Sequence, residues 1–167
     1  MRRGYVVAAF VWFVTLLPTG SFAASMVGPT GATISGWSLN STGSNTISGG
    51  TLTISALLSS YTVTVQADKS RMSEYSGGAY VGGGKTLSAA LHVITLRTGG
   101  TGVLCNGSGT DATVGTSATT VASGPGGLAC SDIYSVTMSQ ATSIADNALA
   151  PGHTYHIVLT YTLSGGL

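Results

Sequence analysis

The chain has 167 residues, room for one ordinary domain, and 43% of them are hydrophobic, enough to bury a core. Charged residues are only 7%, six bases against five acids, which excludes both a phosphate-neutralising nucleic-acid surface and a highly charged disordered chain. What remains is a low-charge globular domain rich in glycine, serine and threonine, with 25 glycines in all.

Residues 1–23 read as a secretory signal peptide. Arg2 and Arg3 form a positive n-region, and Tyr5 to Leu17 is an apolar run of thirteen residues. Such a run is too short to cross a ~30 Å hydrocarbon core comfortably as a helix. Pro18, Thr19 and Gly20 break it, and Ser21-Phe22-Ala23 offers small residues at −3 and −1 of a cut after Ala23. The rival reading is an uncleaved anchor. Cleavage leaves four bases against five acids and a mature chain with no membrane span. The expected location is secreted or at the cell surface.

Residues 24–167 read as a single all-β domain, an antiparallel β-sandwich of Ig-like or Greek-key type. Residues 24–39 could extend as an N-terminal strand. Short runs then alternate β-branched or aromatic residues with small polar ones: Thr51–Ser55, Tyr61–Ala67, Leu87–Leu96, Ile133–Met138 and Tyr155–Leu163. Glycine clusters at 77–78, 82–84, 99–100 and 124–127 supply the turns between them. The stretch 98–128 reads as a long Gly/Ser/Thr-rich surface loop or hairpin, and Ser139–Leu149 is the best candidate for a helical turn.

Period two places Tyr61, Val63 and Val65 on one face of their strand. It likewise aligns Tyr155, Ile157, Leu159, Tyr161 and Leu163, so Tyr61 and Tyr161 are expected in the core. On the same count His156 faces away from that row, and its replacement is expected to be nearly silent.

Cys105 and Cys130 are the two cysteines, and they bracket a small-residue loop in a chain read as exported. A structural disulfide is expected. A lone distant pair is too few ligands for a metal, and a redox pair would favour C-x-x-C.

Catalytic motifs fail on inspection. Gly82-Gly83-Gly84-Lys85-Thr86 ends like a phosphate-binding loop, but Ala79 stands where the first glycine belongs. His153 and His156, three apart on a strand, face opposite sides and cannot share an ion without a bulge; His153 is expected solvated and His92 packed. No G-x-S-x-G elbow occurs, and the acids Asp68, Glu74, Asp111, Asp132 and Asp146 are scattered singly. The expectation is a non-catalytic protein without cofactor or metal.

The charge cluster Asp68-Lys69-Ser70-Arg71 leaves the strand at Ala67, close in sequence to Glu74, Tyr75 and Tyr80. Its bland reading is a solvated turn. Its functional reading, through Asp68, Lys69, Arg71, Glu74, Tyr75 and Tyr80, is a contact patch in which aromatic rings stack on sugars. Asn40-Ser41-Thr42 and Asn106-Gly107-Ser108 fit the glycosylation sequon.

Tyr61-Thr62-Val63-Thr64-Val65-Gln66-Ala67-Asp68, followed by Gly84-Lys85-Thr86-Leu87-Ser88, resembles the first half of the WxL family of surface proteins. The run Tyr155 to Ser164 is similar to that family's closing strand. Tyr61 and Tyr161 stand where the family has tryptophans, with Val63 and Leu163 as their partners. The resemblance implies non-covalent association with a Gram-positive cell envelope. The same ending is similar to the last strand of pilin and spore-coat-type sandwich subunits.

Two functions are therefore expected. One is a cell-surface or wall-associated binding module whose partner is an envelope polymer or another surface protein. The other is a structural subunit of an extracellular fibre, pilus or coat that self-associates by strand addition, with Ala24–Leu39 as the added strand.

Overall fold

The computed structural model describes residues 25–28, 43–126, 128–146 and 148–165, together with backbone strands at 8–9, 12–14 and 33–34. The expected cut after Ala23 and the Asn40 sequon lie outside the described residues. Among the described residues every regular element is a strand.

In chain order these are β1 (Ala8–Ala9), β2 (Trp12–Val14), β3 (Ser25–Val27), β4 (Thr33–Ile34), β5 (Gly43–Ala56), β6 (Tyr61–Ala67), β7 (Ser73–Ser76) and β8 (Ala79–Tyr80). They continue with β9 (Leu91–Val103), β10 (Ser108–Gly109), β11 (Asp111–Thr113), β12 (Thr119–Gly124), β13 (Leu128–Thr142), β14 (Thr154–His156) and β15 (Leu159–Gly165). Two five-stranded sheets make the sandwich, one in the order β10-β12-β6-β15-β2 and the other β11-β9-β13-β5-β3. The fold is all-β, as the alternation predicts.

Alternation is what drives the two sheets together. On β6 the side chains of Tyr61, Val63, Val65 and Ala67 are buried while Thr62, Thr64 and Gln66 point outward. Leu52 and Ile54 of β5, Leu91 and Val93 of β9, and Tyr134, Val136 and Met138 of β13 face them from the other sheet. Leu159 and Tyr161 complete the row from β15. Each large side chain removed from water contributes about 1.5–3 kcal/mol, so a slipped register would turn this row to solvent.

The two long sides of the sandwich differ. Along the β9/β12 side the chain crosses between sheets at Thr110, whose carbonyl accepts from Thr95 N–H at 2.9 Å and whose N–H donates to Val121 O at 3.0 Å. That side is stitched shut. Along the opposite side, among the described residues, β5 is covered only at Thr53–Ser55 by β3, and β15 only at Leu159–Tyr161 by β2. The β2–β15 pairing is parallel, whereas every other pairing of these sheets is antiparallel.

Three expectations change. The stretch 98–128, read as a loop or hairpin, is more strand than loop: β9 runs on to Val103, and β10, β11 and β12 follow it. Ala112 and Val114 alternate inward, and Val121 and Ala122 are buried side by side where β12 bulges against β6. Ser139–Leu149, the best candidate for a helical turn, holds the end of β13 and, among its described residues, a turn at 144–145. The run Tyr155–Leu163 breaks at Ile157–Val158 into β14 and β15, because β14 leaves the main sheet to join β7 and β8 in a small three-stranded one.

Candidate functional site

The small sheet carries the aromatic patch. β7 and β8 are joined by Gly77-Gly78 with φ of +60° and +89°, the two left-handed positions that a tight two-residue hairpin turn requires. This register sets Tyr75 opposite Tyr80, their rings edge to face with centroids 5.3 Å apart. On β14, His156 stacks on Tyr75 at 4.3 Å and lies 5.7 Å from Tyr80.

His156 is therefore buried, 4% exposed, contrary to the expectation of a solvent-facing ring. Period two does turn it away from Tyr155 and Ile157, but the small sheet supplies a second layer there. Burial pushes its imidazole below the ordinary value, with the nearby charge of Asp68 opposing. Its Nδ1 has no hydrogen-bond partner among the described residues.

Asp68 holds the patch to the main sheet. Its Oδ2 accepts from the Tyr80 phenol at 2.6 Å and its Oδ1 from Val158 N–H at 2.8 Å. Burial first, then the hydrogen bond to Asp68, pushes the Tyr80 phenol well above its ordinary value. Lys69 sets its ammonium 4.8 Å from the Tyr80 ring centroid, within cation–π reach.

Glu74 and Arg71 are placed elsewhere. Adjacent to Tyr75 on β7, Glu74 points to the opposite face, where its Oε2 accepts from Lys85 N–H at 2.9 Å and its Oε1 meets His153 Nδ1 at 2.6 Å. Those contacts, the Lys85 amide first and His153 second, hold its carboxyl below the ordinary range. His153 is thus partnered rather than freely solvated. His92, expected packed, is half exposed on the outer face of β9 beside Asp111. Arg71 lines an open groove of about 460 Å³ with Ser70, Thr113, Thr116, Ser117 and Thr119.

So four of the six predicted contact residues, Asp68, Lys69, Tyr75 and Tyr80, come together, with His156 as an unforeseen fifth. The carboxylates are spent on holding loops. What the patch offers a partner is ring surface and the Lys69 ammonium; what the groove offers is hydroxyls and a guanidinium beside Ala90 and Val114.

A second polar cluster lies between the sheets. The Tyr61 phenol donates to Asp132 Oδ2 at 2.6 Å and lies 2.5 Å from the Tyr134 hydroxyl. Arg97 Nε donates to Asp132 Oδ1 at 2.6 Å, and its second nitrogen reaches Cys105 O at 3.2 Å. Burial, and then the Asp132 bond, drive the Tyr61 phenol far above its ordinary value. Cys105 is disulfide-bonded to Cys130, as expected, with Cα atoms 5.4 Å apart. Asp132 was the residue missed by sequence reasoning, although the inward period of Tyr134, Val136 and Met138 extends back to it. Among the described residues no three His, Cys, Asp or Glu side chains converge as a metal site.

The chain matches no family model, no curated protein and no solved structure.

Proposed function

We propose that this is an exported, non-catalytic structural subunit that joins other copies through the open β5/β15 side of its sandwich. The observation that carries the reading is the cover on that side. β2, which pairs with β15, lies inside the segment read as a signal peptide. Cleavage after Ala23 takes β2 away and leaves the outer backbone row of Leu159–Gly165 without a neighbour from that strand. A strand from a second copy, drawn from 24–39, would satisfy those groups. The roles of Asp68, Glu74 and Asp132 in holding backbone and rings support a non-catalytic reading, as do the Ser88 and Ser143 amides that donate to Asp146. The test is size-exclusion chromatography and negative-stain imaging of protein beginning at Ala24. Ordered oligomers or filaments are expected, and a stable monomer at high concentration overturns the proposal.

A second reading, a surface module that binds an envelope polymer, is favoured by the ring surface of Tyr75 and Tyr80 and by the Arg71 groove. Pull-down of monomeric protein by purified cell walls, lost on Tyr80→Ala or Arg71→Ala, would support it.

A further inference from the structure

The disulfide end of the sandwich displays aliphatic side chains where a soluble domain would ordinarily hide them. Leu57 and Leu58 occupy the β5–β6 loop, and Val103 and Leu104 the end of β9 and the turn after it. All four are exposed, Leu58 at 67% and Leu104 at 77%. Ala56 pairs with Cys130 on one flank of β13 and Val103 with Leu128 on the other, so the two loops sit across a single strand, about 10 Å apart.

Both loops end in the same conformation. Leu58 has φ +58° and Leu104 φ +65°, a region that a bulky side chain rarely adopts. An exposed leucine held there twice, at one end of one domain, is strain maintained by its surroundings. Those surroundings are rigid. The Cys105–Cys130 bridge and the Arg97 bond to Cys105 O hold the Leu104 turn from below. A Cβ on Gly126 would strike the Ser59 backbone, which shows how tightly the Leu58 loop is packed against its neighbour.

We propose that this end is an apolar tip that inserts its leucines into the surface of a lipid bilayer. Three features favour that occupant. All four side chains are exposed and none of them lines the groove at Arg71, so they fit a deformable apolar phase better than a matching socket. Residues 57–60 and 103–109 carry no charge, only Ser and Asn among their polar side chains apart from cysteine, which suits the headgroup level without needing anionic lipid. Finally, Ser25 pairs with Ser55, so on the signal-peptide reading the domain leaves its leader, and the export membrane, at this same end.

The test uses protein beginning at Ala24 and neutral phosphatidylcholine vesicles in a flotation assay. Wild type is expected to float with the vesicles equally in low and high salt. Leu58→Gly with Leu104→Gly removes both side chains while supplying the residue that left-handed φ favours. That variant should lose vesicle partitioning by about a hundredfold, roughly tenfold per leucine, yet melt no lower than wild type. Ile144→Ser, at an exposed site elsewhere, should float normally. A wild type that stays out of the vesicles, or a double variant that still floats, overturns the proposal. So does binding that salt abolishes. If wild type instead self-associates without lipid and the double variant does not, the tip is a contact between copies and the bilayer is the wrong occupant.

Discussion

Tyr61 on one sheet and Asp132 on the other share a hydrogen bond of 2.6 Å that joins the two sheets near the disulfide end. Asp132 is fully buried, and its second oxygen takes the Arg97 guanidinium at 2.6 Å. A carboxylate so placed must be satisfied from both sides, and the two sheets each supply one partner. The same Arg97 holds the disulfide loop through Cys105 O, so this cluster connects sheet packing to the geometry of the apolar tip.

Removing the phenol alone, in Tyr61→Phe, should cost about 1.5–3 kcal/mol, the range for a hydrogen bond to a charged group. Asp132→Ala should cost more, about 3–5 kcal/mol, because it also strands the partly buried Arg97. Urea unfolding at neutral pH measures both. An Asp132→Ala protein as stable as wild type would mean that the cluster contributes nothing to the fold.

Glycine at 107 is dictated by the same cluster. A Cβ there would fall inside the contact distance of both the Tyr61 and Tyr134 phenol oxygens, whereas one at Gly115 would meet nothing within 4 Å. Gly107→Ala is therefore expected to destabilise by about 1–3 kcal/mol or more through overpacking. Gly115→Ala should be neutral or gain up to about 1 kcal/mol from a stiffer unfolded chain. Equal melting temperatures for the two variants would contradict the packing described around Tyr61.

The sandwich was legible because its strands alternate cleanly: β6 begins and ends where the Tyr61–Ala67 run does. Tyr61 and Tyr161 are buried as their period requires. The strands inside 98–128 were not legible, since threonine, serine and alanine carry little hydrophobic contrast and their pairing is decided by distant partners on β6 and β9. The burial of His156 was illegible for another reason. Period two tells which face a side chain takes, but not whether a separate small sheet covers that face. The contact patch was half legible: nearness in sequence brought Tyr75 and Tyr80 together, while the strict alternation of β7 sent Glu74 to the other side.

The bridge between Cys105 and Cys130 closes a stretch of small, flexible residues. Cys105→Ser with Cys130→Ser should destabilise by about 2–4 kcal/mol, and the loss should appear as a lower urea midpoint. Wild-type protein denatured without reductant should show no free thiol on titration.

Acid should lower the stability of the protein in two stages, set by His156 and then Glu74. Burial beneath Tyr75 and Tyr80 lowers the His156 pKa from 6.5, with Asp68 opposing, so the unfolded chain takes up a proton that the native state resists. Stability is therefore full above about 6.5 and falls as pH drops below it. Glu74 is the depressed-acid case: the Lys85 amide, and then His153, hold it below 4.5. Its contribution is present above that value and is lost only as pH falls through the lower folded one. His156→Phe keeps a ring against Tyr75 while removing the first titration, and should flatten the melting temperature between pH 7 and 5. Glu74→Gln should leave that first decline intact and reduce the later one. A wild-type melting temperature that is level from pH 7 to 5, or a His156→Phe variant that declines as steeply as wild type, would show that the His156 proton is not what acid acts on.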